Sequence, residues 1–332
     1  MSIRYRPMRP KDVRECVAIV AAHPILGQRY GKTVDQLGPA WLRVLGTPAF
    51  HACVFEEVDG TKIRLLGCAT NTFVSDEFML IAKIPPFFWI GPELTKQVMS
   101  GKSPLLSDTQ VQEANSVSGL NIVVWPSCLL PDEQKRTEVN QAVMTSFMEH
   151  HQGYLLKELM VQATNAEEVQ IMMNMGGLFL GGGDGSYVGS VGRPPHEVLA
   201  EPHYFGVTRD LALQRMGTWV SAVFAYQRPQ FGLRPSEQKL LLAALRGGTD
   251  EELSDELAVS LSAVKKAWHL VYERAAECLP HSILNNEGRE ENSNGERGKQ
   301  KKQRLLAYLR DHPEELRPYS RKTQGQARNS SS

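Results

Sequence analysis

The chain has no excess of charge of either sign, few cysteines and no long apolar run. Its 332 residues carry 37 basic and 37 acidic side chains, so no overall field favours nucleic acid or a membrane surface. The cysteines are scattered and odd in number, which argues against a disulfide framework and a zinc site. We expect idle thiols in a reducing cytosol. They are Cys16, Cys53, Cys68, Cys128 and Cys278.

The sequence also lacks the patterns of export and membrane insertion. The opening MSIRYRPMRPKD has no apolar core of signal-peptide length. No window approaches the roughly 18 uninterrupted apolar residues of a membrane span. With 42% hydrophobic residues, the chain can still bury substantial cores. We therefore expect a cytoplasmic protein with no membrane contact, no metal site and no cofactor.

Strand-like and helical patterns alternate over residues 1–205 and predict a domain of α/β (α+β) class. Two strand-like segments at 50–57 and 62–74 flank Asp59-Gly60, a hairpin signal. Residues 85–118 show no clear pattern. Further strands are predicted at 2–8, 120–130 and 154–163, and further helices at 13–23, 33–45, 133–151 and 166–175.

The rest of the chain is predicted to be helical and then loose. Residues 206–232 are interpreted as a bridging helix and linker, and residues 233–282 as an all-α domain. Residues 283–332 are polar and basic, and we expect them to be partly disordered around a short basic helix at 299–310. Lysines in that helix could follow DNA phosphates, or could simply be solvated.

A two-helix motif with a short turn is predicted within the all-α domain. Thr249 and Glu252 have the spacing of a capping box, which marks the start of a helix. Ala258 is a small residue at the tight turn, Val259 is expected to fill the corner, and Ser260 caps the next helix. This arrangement is typical of a helix-turn-helix.

Residues 233–278 resemble the LuxR-type helix-turn-helix domain and, more distantly, region four of sigma factors. The resemblance rests on LRPSEQKLLLAALRGG and on DEELSDELAVSLSAVKKAWHLVY. It implies that the third helix enters the major groove of double-stranded DNA. Ala263, Ala267 and Leu270 depart from the family pattern, which weakens base readout more than phosphate contact. The DNA-contacting residues that it implies are Ser260, Ser262, Ala263, Val264, Lys265, Lys266 and His269. Val264 is also expected to point to the core of the domain.

Residues 1–205 resemble a GNAT-type N-acetyltransferase through IRYRPMRPKDVRECVAIV, NIVVWPSCLLPDEQKRTEV and AEEVQIMMNMGGLF. The resemblance places an acetyl-CoA loop at 134–139, where glycine normally lets the backbone approach a diphosphate. Here Thr137 and Val139 replace small residues and Glu138 adds an anion. Met172 stands where a tyrosine commonly serves as the general acid. These departures imply an inactive domain with no catalytic residue.

The sequence therefore predicts a bacterial-type transcription regulator. Its N-terminal domain would sense a small-molecule ligand or form a homodimer, and its helix-turn-helix would bind DNA. The alternative is an active GNAT-type acetyltransferase with an accessory DNA-binding module. A third interpretation is a protein-interaction adaptor whose helix-turn-helix no longer touches DNA.

Overall fold

The computed structural model describes residues 2–174, 176–183, 198–279 and 294–320. The chain divides into two compact units with separate hydrophobic cores. The first unit comprises Met1–His151 and Leu155–Phe224, and the second comprises Gln152–Tyr154 and Ala225–Ser332.

A mixed seven-stranded sheet forms the centre of the first unit. Its strands are β1 (Ser2–Pro7), β2 (Phe50–Asp59), β3 (Lys62–Val74), β4 (Leu120–Leu129), β5 (Leu156–Asn165), β6 (Leu178–Gly182) and β7 (Val198–Thr208). They stand in the order β1-β2-β3-β4-β5-β7-β6. β4 and β5 run parallel, and the other neighbouring pairs run antiparallel. The predicted α/β (α+β) class is confirmed.

Helices cover both faces of this sheet. One face carries α1, α3 and α5, whose apolar residues pack with Trp125 of β4 in the main core. The other face carries α7 above β1 and β2, and α8 above β5 and β7. The helices of the first unit are α1 (Val13–Ala22), α2 (Pro24–Tyr30), α3 (Val34–Val44), α4 (Asp76–Ala82), α5 (Ile90–Met99), α6 (Asp108–Ser116), α7 (Thr137–His151), α8 (Ala166–Asn174), α9 (Arg209–Gln214) and α10 (Trp219–Phe224).

The segment between β3 and β4 contains three short helices, two of which lie within residues 85–118, where no clear pattern is predicted. Ser75 caps α4 by accepting a hydrogen bond from the backbone N–H of Phe78 at 3.2 Å. Ser107 begins α6 in a capping box with Gln110. These caps fix where each helix begins, so the segment packs as ordered structure rather than as a loop.

The second unit is helical and has its own core. Its helices are α11 (Pro235–Leu245), α12 (Asp250–Leu257), α13 (Leu261–Cys278) and α14 (Asn294–Asp311). The predicted capping box is confirmed, because the Thr249 N–H donates to Glu252 at 2.7 Å and the Glu252 N–H donates to Thr249 at 3.2 Å. The predicted all-α character of residues 233–279 is also confirmed.

The structure corrects the single bridging helix predicted for 206–232. Val207 and Thr208 still belong to β7, where they pair with β5. Two short helices then follow, and Gly217 between them adopts a left-handed backbone with φ of 82°. Both helices belong to the first unit, so its boundary falls at Phe224 rather than at residue 205.

The short basic helix predicted at 299–310 is present within the polar tail. Residues 294–311 form α14, whose Leu305, Leu306 and Leu309 are buried in the core of the second unit. An apolar stripe at helical spacing within a basic sequence explains this packing. Residues 283–293 and 321–332, also part of the predicted polar tail, lie outside the described residues. Across the described part of the chain, no helix combines the length and apolar character needed to cross a membrane.

Candidate functional site

The parallel strands at the centre of the sheet pair over only part of their length. The register between β4 and β5 begins at Leu120 and Leu156 and ends at Val123 and Met160, although both strands continue. Beyond this point β4 remains paired with β3, and β5 remains paired with β7. The sheet therefore opens into a wedge at the carboxyl ends of its two parallel strands, a common position for ligands in α/β sheets.

A cavity of about 200 Å³ lies beside this wedge, on the sheet face that carries α7 and α8. It is larger than the roughly 150 Å³ engineered cavity that takes up benzene. Its lining is mostly apolar. The residues that line it include His51 and Cys53 of β2, Ala69 and Asn71 of β3, Val124 and Ser127 of β4, Leu159 and Val161 of β5, Phe205 and Val207 of β7, Val143, Met144, Ser146, Phe147 and His150 of α7, Met172 of α8 and Trp219 of α10.

Polar side chains gather at one end of the cavity. His51 lies opposite Asn71, which in turn lies opposite Val124, so these residues form one row across three strands. His150 reaches the same end from α7, and its Nδ1 lies 2.6 Å from the Ser146 carbonyl oxygen. That contact places a proton on Nδ1. An otherwise apolar site with a few convergent polar groups is typical of a small-molecule pocket.

Neither Cys53 nor Met172 supplies an acid, a base or a thiolate near neutral pH. Burial raises the pKa of the Cys53 thiol to about 11, so the thiol stays protonated. Met172 lines the cavity as the resemblance implied, and its thioether has no proton to donate. These two residues contribute shape and an apolar surface.

The opposite side of the wedge is filled by the segment before α5. Gln162 of β5 accepts a hydrogen bond from the Ile90 N–H at 3.0 Å and donates one to the Phe88 carbonyl at 3.3 Å. Tyr204 of β7 accepts from the Phe88 N–H at 3.0 Å and also donates to its carbonyl. Lys83 forms an ion pair with Glu158 at 2.6 Å. Phe87, Phe88 and Trp89 therefore belong to a packed segment on this face.

The loop predicted at 134–139 is held by a cluster of ion pairs. Arg136 contacts Glu57 at 2.9 Å and Glu133 at 2.8 Å, and Arg64 contacts the same two carboxylates. Hydrogen bonds from Arg136 and Arg64 hold the pKa of Glu57 below its ordinary value. The Arg136 guanidinium is thus committed within the protein, whereas Lys135 beside it is exposed.

The start of α7 is more open than the sequence implies. Val139 is 0% exposed and packs in a cluster with Phe55, Leu66 and Leu129, so its side chain points into the sheet. It does not block approach to the backbone N–H groups in the first turn of the helix. Thr137 and Glu138 are exposed at this turn. The obstacles that remain there are therefore the Thr137 side chain and the charge of Glu138.

The residues predicted to contact DNA cluster at the start of α13. Ser260 caps this helix by accepting a hydrogen bond from the Ala263 N–H at 3.2 Å. Ala258, in the turn before it, has a left-handed backbone with φ of 52°. The predicted contact residues that are exposed are Ser260, Ser262, Ala263, Lys265, Lys266 and His269.

Of two valines near the turn, Val264 lies in the core as expected, whereas Val259 does not occupy its predicted position. Val264, one of the predicted DNA contacts, is only 1% exposed and packs in the core of the second unit. Val259, expected to fill the corner of the turn, is 44% exposed. Val264 therefore supports the helix from within.

Lys301 and Lys302 of α14 make contacts inside the second unit. Lys302 forms an ion pair with Asp250 at 2.9 Å and lies 4.7 Å from the Trp268 ring centroid. Lys301 lies 4.8 Å from the centroid of the Tyr272 ring. These contacts hold α14 against the start of α12 and the core side of α13. They reduce the positive charge that this helix offers to an external partner.

Solved structures with an arrangement similar to the first unit are acetyltransferases. One, from Corynebacterium glutamicum, is described as histone acetyltransferase HPA2 and related acetyltransferase; it has a TM-score of 0.37 and 11% identity over 62% of this chain and 96% of its own. Arabidopsis thaliana NAA60 in complex with acetyl-CoA has a TM-score of 0.37 and 14% identity over 62% of this chain and 98% of its own. Vibrio cholerae spermidine N-acetyltransferase in complex with CoA and spermine has a TM-score of 0.37 and 8% identity over 63% of this chain and 97% of its own.

Each of these TM-scores lies below 0.5, so the likenesses decide nothing about the substrate of this chain. The sequence matches no protein-family model and no curated protein. Among the described residues, no group of three or more His, Cys, Asp or Glu side chains could hold a metal ion.

Most residues that line the cavity could not be identified from the sequence. Phe147 and Trp219 meet edge to face with ring centroids 6.2 Å apart, yet they are far apart in the chain. A usable signal was present in β2 and β3, where His51 and Asn71 interrupt strands that are otherwise largely buried and apolar. Polar residues on the inner face of a buried strand indicate a site.

Proposed function

We propose that the first unit is a GNAT-type domain that binds a coenzyme A thioester beside the wedge between β4 and β5. The observation that carries this proposal is the partial pairing of these two strands, next to a cavity lined from both of them. An apolar thioester end requires an apolar, dehydrated site, which this cavity supplies. The first turn of α7 would hold the diphosphate end through its backbone N–H groups.

The first unit suits the apolar thioester end of such a ligand better than its charged diphosphate end. The cavity beside Val161 and Met172 suits the thioester end. At the diphosphate end, Lys135 is exposed and available, but Arg136 is engaged by carboxylates and Glu138 repels an anion. We therefore expect affinity to come mainly from the apolar end.

Calorimetric titration of the full-length chain with acetyl-CoA tests this proposal. We expect a saturable one-to-one isotherm that Met172→Trp weakens at least tenfold, because the larger side chain fills the cavity. Ile171→Trp is the matched control, since Ile171 is the neighbouring residue on α8 and is 44% exposed. No binding by the wild-type chain, or equal loss in both variants, would contradict the proposal.

Acyl transfer to an amine is the catalytic form of this proposal. The similar structures from Corynebacterium glutamicum and Vibrio cholerae are named for this activity. In this chain Met172 supplies no acid, and residues 87–90 fill the other side of the wedge. Release of free CoA thiol from acetyl-CoA in the presence of polyamines or peptide amines measures transfer directly. Turnover would show that the first unit is an enzyme. Binding of acetyl-CoA without turnover would indicate a sensor.

DNA binding by the second unit is a second candidate function. The observation that favours it is the three-residue connection from α12 to α13, with Ala258 in a left-handed conformation and Ser260 as the cap. This connection exposes Lys265 and Lys266 near the start of α13, where a LuxR-type helix-turn-helix would meet the major groove. We further propose that the chain binds double-stranded DNA as a homodimer reading paired half-sites.

Immunoprecipitation of bound DNA followed by sequencing tests this second function. We expect discrete enriched fragments that are lost when Lys265 and Lys266 are both replaced by alanine. Unchanged recovery in the double variant would contradict DNA binding through α13 and would favour the adaptor interpretation. Sedimentation that shows a monomer with and without DNA would contradict the homodimer.

A further inference from the structure

Asn71 of β3 presents an amide without a protein partner to the cavity. The residue is 7% exposed and lines the cavity next to Val124, its register partner on β4. The other two asparagines that are buried in the described parts of the chain are hydrogen-bonded: Asn121 donates to a carboxylate and Asn115 accepts from a backbone N–H, each at 2.7 Å. No described residue forms such a bond with the Asn71 side chain. Because a buried amide without a partner is unfavourable, its place in a cavity wall indicates a ligand group that bonds to it.

The space available beside Asn71 lies toward the two parallel strands. On the β2 side α7 meets the sheet, because the Cys53 thiol lies 3.6 Å from the Ser146 hydroxyl. On the other side Val124 of β4 and Val161 of β5 line the cavity, where the thioester would lie. Neighbouring strands are about 4.8 Å apart. A thioester carbon beside β4 therefore has the Asn71 amide about one strand spacing away.

The chemistry of the lining limits the group that Asn71 can bind. No side chain with a fixed positive charge lines the cavity among the described residues, so a carboxylate would be desolvated without a countercharge. A hydrocarbon chain would leave the amide without a partner. A hydroxyl matches the amide, because it can donate to the amide oxygen or accept from the amide nitrogen.

The distance selects the position of this hydroxyl on the acyl chain. With bonds of about 1.5 Å, a hydroxyl oxygen on the third acyl carbon lies roughly 3 to 4 Å from the thioester carbon. A hydrogen bond adds about 2.8 Å. This reach is sufficient to cross from β4 to β3, whereas an acetyl group has no third carbon and no hydroxyl.

We propose that the cavity prefers a thioester whose acyl group carries a hydroxyl on its third carbon, and that Asn71 recognises this hydroxyl. This inference rests on the proposed function and names the acyl group of the same ligand. It also accounts for an amide at an inner position of β3, where leucine would occupy a similar volume. Asn71 then serves recognition at the expense of stability, because a buried polar group without a partner is destabilising.

Titration of the full-length chain with butyryl-CoA and with each enantiomer of 3-hydroxybutyryl-CoA tests the proposal, since these ligands differ only in the hydroxyl. One hydrogen bond changes affinity by roughly two- to twelvefold. We expect one enantiomer to bind at least threefold more tightly than butyryl-CoA. Equal or weaker binding of both enantiomers would overturn the inference while leaving the proposed function intact. Failure of acetyl-CoA and of all these thioesters to bind would instead contradict the proposed function.

Replacement of Asn71 identifies the residue that recognises the hydroxyl. We expect Asn71→Leu to remove the preference for 3-hydroxybutyryl-CoA, to retain butyryl-CoA, and to melt at the same temperature as the wild type or higher. Asn174→Leu makes the same change at an exposed position at the end of α8 and should keep the preference. A preference that survives in Asn71→Leu, or a lower melting temperature with equal weakening of both thioesters, would overturn the inference.

Discussion

The hydroxyl oxygen of Tyr204 lies 3.0 Å from the backbone nitrogen of Phe88 and also donates a hydrogen bond to the Phe88 carbonyl. A side chain on β7 thus satisfies both polar groups of one residue in the segment before α5. Gln162 on β5 holds the same segment at Ile90. These bonds close one side of the wedge, so access to a bound thioester from that side depends on them.

Tyr204→Phe is expected to loosen residues 87–90. The substitution removes both hydrogen bonds, so the Phe88 N–H loses its partner and the Phe88 carbonyl keeps only Gln162, which costs about 1 to 3 kcal/mol locally. Hydrogen exchange of the Phe88 and Ile90 amides should therefore accelerate at least tenfold. Exchange rates equal to those of the wild type would show that Tyr204 does not hold this segment.

Stability of the first unit is expected to fall as the pH drops below about 4. Arg6 contacts Asp12 at 2.6 Å, and its hydrogen bond holds the pKa of this carboxyl below the ordinary value. A lowered pKa in the folded state stabilises the protein at pH values above the unfolded pKa of about 3.9. The contribution is lost as the pH falls through the folded pKa.

Chemical denaturation between pH 7 and pH 3 measures this dependence. Asp12→Asn should lower stability at pH 7 and reduce the decline toward pH 3. Asp35→Asn, at an exposed position near the start of α3, serves as the control. A decline in Asp12→Asn as steep as that of the wild type would contradict the assignment.

Glu138→Gln is expected to strengthen acetyl-CoA binding two- to fivefold at low ionic strength. Glu138 is exposed in the first turn of α7, where its charge opposes a diphosphate. The gain should shrink at high salt, because exposed charges are screened. Glu167→Gln, an exposed acidic residue in the first turn of α8, should leave the affinity unchanged. An unchanged or weaker affinity in Glu138→Gln would place the diphosphate elsewhere.

Lys265→Ala and Lys266→Ala are each expected to weaken DNA binding and to flatten its salt dependence. A lysine that contacts one phosphate contributes about 0.9 to the slope of log K against log salt concentration. Fluorescence anisotropy with recovered fragments at several salt concentrations gives that slope. Lys239→Ala on α11 is the control, because Lys239 is exposed on a different helix. A slope that changes equally in all three variants would argue against a specific role for α13.

Much of the secondary structure could be predicted because its signals are local. The hairpin of β2 and β3 follows from alternating apolar residues around Asp59-Gly60, and α12 follows from the Thr249 cap. The helices before β4 were harder to predict because they are short and interrupted by prolines. The capping box at Ser107 was nevertheless present in the sequence.

The candidate site could not be predicted in the same way, because its geometry depends on distant parts of the chain. Sequence alone indicated that Val139 would obstruct the first turn of α7, yet packing turns this side chain into the sheet. Val259 was predicted to fill the corner of the turn before α13 but is 44% exposed. At both positions the residue type was known from the sequence, but the direction of the side chain depends on how the neighbouring elements pack against each other.

Hydrogen exchange of the full-length chain with and without saturating acetyl-CoA is the most direct test of a thioester site between α7, α8 and the sheet. We expect slower exchange with acetyl-CoA than without it in peptides covering residues 143–150 and 166–174, where α7 and α8 line the cavity. Peptides from α13 should exchange at unchanged rates unless the two units are coupled. No slowing in the α7 and α8 peptides at saturating ligand would contradict the proposed thioester site.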